Sequence, residues 1–170
     1  IMVAADKLIV VNGDSWADGI SAGVMSAEAG WPIVLQTKTG NNASAKKTID
    51  AYLKLTSSVK TFIIVGGTGA LSTDTESYLI NTKAVKPANI IRLSGADRYA
   101  TSLRVNNYVR TQGTPLNNIT GVNTALVSGE SPWDALAATS WAAKNNALVQ
   151  LTPAAGGNAS VASLATTYAA

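Results

Sequence analysis

Two short segments of the sequence place a serine and two carboxylates at the same spacing, each just ahead of a predicted helix. They are NGDSWADG and SGESPWDA, which contain Asp14, Ser15 and Asp18 in the first and Glu130, Ser131 and Asp134 in the second. Carboxylates four residues apart could bind a divalent cation or work as an acid and a base. Serines followed by first-turn acids are also typical of helix N-termini. We therefore predict helix capping, with a ligand or ion role as the alternative and no metal.

The first segment, extended to VVNGDSWADG, resembles the nucleophile block of GDS-type esterases, in which a serine after a strand attacks an acyl group. Ser15 would be that nucleophile, and such chemistry needs a histidine to take its proton. The sequence contains no histidine and no cysteine. This excludes Ser-His-Asp and Cys-His catalysis and zinc sites of the usual type. A hydrolase or esterase that uses Ser15 and Asp18 remains the enzymatic alternative.

The segment VGGTGALS, residues 65–72, is a glycine-rich turn between a predicted strand and a predicted helix. Its backbone N–H groups could cradle a phosphate. The spacing matches neither dinucleotide-binding nor P-loop patterns, and the next strand ends in Arg92 and Leu93 instead of an acid that could hold a ribose. We predict that Gly66 and Gly67 form a tight turn that lets the helix approach the sheet closely.

The segment RLSGADRY concentrates charge directly after the apolar residues Ile90 and Ile91. It contains Arg92, Ser94, Gly95, Asp97, Arg98 and Tyr99. Serine or aspartate can cap the following helix, glycine supplies a turn, and arginine and aspartate can form bidentate ion pairs. Arginines at a helix N-terminus can equally hold a phosphate or carboxylate. We predict that Asp97 and Arg98 are mainly structural and that Arg92 contacts a ligand.

Short runs of Val, Ile and Leu alternate with Ala-rich stretches of helical periodicity, which predicts an α/β fold with a parallel sheet and crossover helices. The predicted strands are KLIVV, PIVLQ, TFIIV, NIIRL, TALVS and ALVQL. The predicted helices cover residues 16–29, 43–55, 73–81, 97–111, 133–145 and 160 to the end.

The 170 residues fit one domain with a substantial core. The net charge of +3 comes from 13 basic and 10 acidic residues, without long basic runs. We therefore predict no nucleic-acid partner, although a mildly positive surface would favour an anionic polymer. No apolar run is long enough to span a bilayer, so we predict no membrane insertion. The first residues lack a cleavable signal, so any secretion signal would lie outside this segment.

The chain also contains an internal repeat. Residues 11–36 align without a gap to residues 127–152, which lie 116 positions later, and seven of the 26 aligned pairs are identical. A strand, turn, helix and strand therefore occur twice. The glycine-rich turn and RLSGADRY each occur once between the copies, as in a repeat array that is cut out of phase.

The order of these segments resembles the cell wall binding repeat 2 family of Gram-positive surface proteins. The segments that carry the resemblance are RLSGADRYATS, SGESPWDALAA, NGDSWADGISAG and FIIVGGTGALS. It implies a secreted, noncatalytic module at the cell surface, without a cofactor, that binds an anionic, teichoic-acid-like wall glycopolymer. It also implies Rossmann-like units from tandem repeats that assemble in threes, so other copies of the repeat are possible partners. Residues 1–90 would be the C-terminal part of one repeat and residues 91–170 the N-terminal part of the next, packed as one α/β domain.

In clostridial members an Ile-Leu-Leu triplet after the Ala-rich helix is associated with polymer attachment. The resemblance places it at Ile33, Val34 and Leu35 and again at 149–151, where Gln150 between Val149 and Leu151 departs from the pattern. The predicted ligand contacts are therefore Arg92, Arg98, Ile33, Val34, Leu35, Val149 and Leu151. Asp97, Tyr99, Gly95, Asp18, Asp134, Gly66 and Gly67 are predicted to be structural. A self-assembling surface-layer module is the second alternative.

Overall fold

The computed structural model describes residues 5–55, 60–112, 116, 123–155 and 158–168. Four parallel strands form one sheet in the order β2-β1-β3-β4, and two more parallel strands, β5 and β6, form a second sheet. The strands are β1 Lys7–Asn12, β2 Ile33–Gln36, β3 Thr61–Val65, β4 Ile90–Leu93, β5 Thr124–Ser128 and β6 Leu148–Thr152. The predicted α/β class with parallel strands is confirmed.

The helices are α1 Trp16–Ala29, α2 Ala43–Leu55, α3 Asp74–Ser77, α4 Arg98–Thr111, α5 Pro132–Lys144 and α6 Ala159–Tyr168. They lie within one or two residues of the predicted helices, except that α3 is a single turn. The chain continues from α3 into a π-helical turn, Tyr78–Thr82. The predicted continuous helix over 73–81 is therefore wrong in its geometry, although not in its position.

The first sheet is covered on both faces, which explains why its strands are continuous apolar runs. Residues Leu8–Val11 of β1 are fully buried. Ile9 and Val11 join a core with α1 and α4, while Leu8 and Val10 join a second core beneath α2. The alternation of side chains along β1 thus sends successive residues into two different cores.

The internal repeat is confirmed by the strand register. Ile9 pairs with Ile33 in the first sheet, and the residues 116 positions later, Ala125 and Val149, pair in the second. The other three β1–β2 pairs recur in β5–β6 in the same way. The two strand-helix-strand units therefore share their geometry as well as their sequence.

The two sheets share one apolar core, because α4 packs against both β6 and α1, and α5 packs against α1. Helices α1 and α5 approach closely at Gly23, where an added Cβ would lie 2.5 Å from the Cγ2 of Thr139. Thr139 is the repeat equivalent of Gly23. The two helices thus meet at equivalent positions of the two repeats.

Candidate binding site between the two repeats

An apolar groove lies between α1, α5 and the end of β2, with a volume of about 400 Å³. This size is within the range of small-ligand pockets. Side chains from both repeats line it, so neither strand-helix-strand unit forms it alone. The residues that define the groove include Trp16, Ile20, Ile33, Leu35, Pro132 and Leu136.

The strand pleat decides which members of the predicted triplet reach this groove. Ile33 and Leu35 line it, and Leu35 is 59% exposed. Val34 points to the opposite face of the sheet and is buried in the core beneath α2. The triplet therefore offers two side chains to the groove.

The second triplet lies elsewhere. Val149, Gln150 and Leu151 are all buried, because α4 packs over β6. Gln150 donates from Nε2 to the carbonyl oxygens of Tyr99 and Leu151 and accepts from Asn106 Nδ2 at 3.0 Å. The glutamine that departs from the family pattern thus satisfies backbone and side-chain groups in the interior.

A polar cleft of about 420 Å³ opens on the other side of the α1 N-terminus, at the carboxyl ends of β1, β3 and β4. This edge is the usual place for ligand sites in parallel α/β sheets. The glycine-rich turn forms one wall, and the segment that leads into α4 forms another. The residues that define the cleft include Ser15, Asp18, Gly67, Thr68, Asp97 and Arg98.

Asp18 is the buried charge of this cleft, since its residue is only 7% exposed. Burial raises the pKa of the Asp18 carboxyl, and the positive charge of Arg98 offsets part of that rise. Gly66, at φ +117°, makes room for this side chain, because an added Cβ would lie 2.5 Å from Asp18 Oδ2. Asp134, its repeat equivalent, is exposed on α5.

Arg98 lies on the ridge between the groove and the cleft. Its guanidinium stands 5.5 Å from the centre of the Trp16 ring, and its Nη1 donates to the carbonyl oxygen of Gly129 at 2.6 Å. Trp16 lines the groove and Arg98 lines the cleft. An exposed cation and an aromatic ring are thus held together between the two cavities.

The rest of RLSGADRY stabilises the start of α4. Asp97 is the N-cap, and its Oδ1 accepts from the backbone N–H of Ala100 at 2.7 Å, as predicted for this position. Gly95 fits against the first turn, since an added Cβ would overlap Ala100 Cβ. The Tyr99 ring packs against Gly129. The predicted pairing of Asp97 with an arginine is absent from the salt bridges of the described residues.

Arg92 is held by partners within the protein. Its Nε donates to Glu76 at 2.9 Å, and its Nη1 donates to the carbonyl oxygens of Gly66 and Leu71. The guanidinium thus connects β4 to α3 and to the glycine-rich turn. It does not line the groove or the cleft.

Ser15 and Ser131 occupy the N-cap positions of α1 and α5, but neither side chain makes a capping hydrogen bond. The predicted position is correct and the predicted bond is wrong. Both serines have the extended backbone that is usual for an N-cap residue. Because their hydroxyl groups accept no hydrogen bond from the helix, the first N–H groups of each helix depend on other partners. Across the parts of the chain that the structure covers, no three acidic side chains cluster as metal ligands would, and no helix is long and apolar enough to cross a membrane.

The sequence did not predict the α5 wall of the groove or the burial of Asp18. Both depend on packing between segments that are far apart in the chain. The sequence did contain one signal for the α5 wall. Gly23 lies inside a predicted helix, and a glycine there indicates that another element approaches closely, as Thr139 of α5 does.

Comparisons with known proteins agree with this architecture. The sequence pattern of Cell wall binding domain 2 (CWB2) matches residues 1–76 and 92–169. The structure is similar to Cwp8 from Clostridium difficile, with a TM-score of 0.75 and 27% identity over 94% of this chain and 25% of that chain. It is also similar to Cwp6 from Clostridium difficile, with a TM-score of 0.68 and 27% identity over 87% of this chain and 21% of that chain.

Among curated proteins, the chain is similar to N-acetylmuramoyl-L-alanine amidase LytC of Bacillus subtilis (strain 168). The two are 28% identical over 104 residues, which are 61% of this chain and 18% of the amidase. The chain thus spans a quarter or less of each of these three relatives. The family pattern covers most of the chain in two successive matches, and the chain therefore belongs to the Cell wall binding domain 2 (CWB2) family as a cell-wall-binding module.

Proposed function

We propose that this module is noncatalytic and binds an anionic glycopolymer of the cell wall at the surface shared by its two repeats. The observation that carries the proposal is the ridge formed by Arg98 and Trp16 between the apolar groove and the polar cleft. An aromatic ring offers a flat apolar surface to a sugar ring, and a guanidinium pairs with phosphate or carboxylate. The net charge of +3 favours the approach of a polyanion.

Ile33 and Leu35 are the proposed apolar contacts, because they line the groove beside Trp16. Arg98 is the proposed ionic contact. Arg92 would need to leave Glu76 and two carbonyl oxygens before it could bind a ligand, and the buried Val34, Val149 and Leu151 would contribute by supporting the surface from beneath. The surface location proposed for the module, outside the cell and on the wall, follows from this partner.

The site geometry supports binding instead of hydrolysis. A serine nucleophile needs a base within hydrogen-bonding reach. Ser15 lines the cleft, but within the described residues its hydroxyl makes no hydrogen bond to Asp18 or to another carboxylate. A hydrolase that uses Ser15 and Asp18 would therefore lack an activated nucleophile.

The test is cosedimentation with purified wall sacculi before and after chemical removal of their anionic polymer. We expect binding to intact sacculi and its loss on stripped sacculi. Leu35→Gln should weaken binding, whereas Leu126→Gln should not. The two leucines are matched controls, because their exposures are 59% and 57% but only Leu35 lines the groove. Equal binding to stripped sacculi would contradict the polymer assignment.

Self-assembly is a second candidate function, which one observation favours. Helix α5 exposes Trp133 and Trp141 at 74% and 51%, next to Leu136 at 57%. Equivalent positions of α1 and α5 already meet at Gly23 and Thr139, so a helix from another copy could pack on the same surface in a trimer-like arrangement. Light scattering at increasing protein concentration tests this, and a constant monomer mass would refute it.

A further inference from the structure

The polar cleft contains a buried carboxylate without a hydrogen-bond partner. Asp18 is more than nine-tenths buried and lines the cleft. Its oxygens accept no hydrogen bond from any residue that the structure describes. Neither Asp18 oxygen is among the fully enclosed polar atoms that lack a partner, so the carboxylate remains reachable from the cleft. A carboxylate that is mostly withdrawn from water without a hydrogen-bond donor is destabilised, and a ligand donor in the cleft would offset that cost.

Helix capping alone does not explain this burial. An acid in the first helical turn interacts favourably with the helix dipole while it remains in solvent. Asp134 occupies the equivalent position of α5 and does remain exposed. The repeat thus shows that an acid at this helical position can remain exposed. Gly66 adds to the contrast, because its missing side chain is what admits the Asp18 carboxylate.

The same cleft also offers hydrogen-bond donors near Asp18. Ala70 and Leu71 donate to the carbonyl oxygen of Gly67, which closes the glycine-rich turn. The N–H groups of residues 67–69 have no partner among the described residues. Arg98 also lines the cleft, and only its Nη1 has a hydrogen-bond partner, the carbonyl oxygen of Gly129, among the described residues. Backbone N–H groups and an arginine together form a site for a negatively charged group.

An acceptor and several donors within one cleft select a ligand that carries both a hydroxyl group and an acid. Inorganic phosphate carries no sugar hydroxyl that could donate to Asp18. A neutral sugar would leave the donors of the glycine-rich turn and Arg98 without an anion. The volume of about 420 Å³ is suited to a small ligand and not to a folded segment of protein.

We propose that the polar cleft binds one acidic sugar unit of the wall polymer, with a sugar hydroxyl donating to Asp18 and the acidic group bound by Arg98 and the N–H groups of residues 67–69. This proposal rests on the proposed function, since it assumes that the polymer is the ligand. It adds a second contact to the apolar groove, on the other side of the α1 N-terminus. A polymer that crosses the Trp16–Arg98 ridge would occupy both.

The experiment measures the affinity of the module for anionic polymer released from sacculi, by titration calorimetry. Asp18→Ala should weaken binding about tenfold or more, because it removes a hydrogen bond to a charged acceptor. Asp134→Ala is the matched control, since it removes the equivalent acid from the second repeat, and it should leave the affinity unchanged. Asp18→Asn keeps an acceptor oxygen and should lie between the wild-type protein and Asp18→Ala. Thermal unfolding of each variant verifies that it is folded.

Two further readouts separate the possible results. On addition of polymer, the backbone amide resonances of residues 67–69 should shift in the wild-type protein and shift less in Asp18→Ala. A hexose phosphate should compete better than inorganic phosphate or the neutral hexose. If the wild-type protein binds the polymer and Asp18→Ala binds equally well, the cleft is refuted and the proposed function stands. If the wild-type protein binds neither sacculi nor released polymer, the proposed function itself fails.

Discussion

A buried amide pair should couple α4 to the second sheet. Asn106 and Gln150 are 2% and 0% exposed. Asn106 Nδ2 donates to Gln150 Oε1 and to the carbonyl oxygen of Val149, each at 3.0 Å. Because α4 also packs on α1, this pair helps to set how the two repeats sit against each other. We therefore expect Asn106→Leu and Gln150→Met to destabilise the protein non-additively.

The magnitude follows from the groups that each change leaves unpaired. Asn106→Leu removes the donor to Gln150 Oε1, while the carbonyl of Val149 keeps the hydroxyl of Ser102 at 3.3 Å. One lost partner in the interior costs about 2 kcal/mol. Gln150→Met leaves one amide hydrogen of Asn106 without an acceptor and removes the donor to the carbonyl of Tyr99, so it should cost about 2–3 kcal/mol. In the double variant neither amide remains, so the penalty that each amide suffers without the other disappears, whereas the loss of the donor to the Tyr99 carbonyl is the same as in Gln150→Met.

The assay is urea unfolding of the wild-type protein, both single variants and the double variant at one pH. The double variant should be destabilised by at least about 1 kcal/mol less than the sum of the single variants, because contacting residues couple by 0.5–3 kcal/mol. Unchanged m-values would show that the denatured state is comparable in all four proteins. Effects that add within about 0.5 kcal/mol would refute the reasoning, since independent sites behave in that way.

Three other substitutions test single features of the site. Asp18→Asn should stabilise the protein at neutral pH and not at low pH. Burial raises the pKa of Asp18 in the folded state, so the folded protein is most stable when Asp18 is protonated and loses that stability as the pH rises through this pKa. A difference in unfolding free energy between the variant and the wild-type protein that stays constant from pH 3 to 7 would disprove this. Gly66→Ala should lower the free energy of unfolding by about 1–3 kcal/mol, because Gly66 has a positive φ and an added Cβ would meet an Asp18 oxygen. Gly67→Ala is the control, since the nearest atom to an added Cβ there belongs to Ser94, at 4.0 Å. It should change the chemical denaturation midpoint little. Arg92→Met should lower the free energy of unfolding by about 2 kcal/mol, measured with urea, because it leaves Glu76 and the carbonyl of Gly66 without their donor. Arg104, which is exposed on α4, is the control, and an equal effect of Arg104→Met would argue against a specific role of Arg92.

The fold was predictable because its signals are local. Each strand is an apolar run between polar or glycine residues, and β1 illustrates why, since its side chains enter two cores and all of them must be apolar. The exception, at residues 73–82, has no comparable pattern. Only Thr75 and Leu79 of that stretch are buried, which is too short a stripe to specify a regular helix.

The candidate site could be predicted only in part, because its geometry depends on contacts between the two repeats. The resemblance to a known family pointed to Ile33 and Leu35, and both line the groove. Gln150 indicates that the second triplet is buried and does not line the groove, since a glutamine between apolar residues in a buried strand needs a hydrogen-bond partner in the interior. Identifying that partner as Asn106, 44 residues earlier in the chain, required the packing of α4 on β6.

Equivalent residues of the two copies differ in burial, because different elements surround each copy. Asp18 is buried because β3, the glycine-rich turn and the start of α4 surround the first copy, whereas the described residues place no such elements around Asp134. Likewise, Leu35 is exposed at the groove, while Leu151 is covered together with Ala17 and Ala135. The proposed binding surface is thus formed by both family matches: the first supplies the strand-end residues Ile33 and Leu35, and the second, residues 92–169, supplies α5 and Arg98. Residue identity within one copy is therefore insufficient to predict binding, and the sequence on both sides of each copy must be considered.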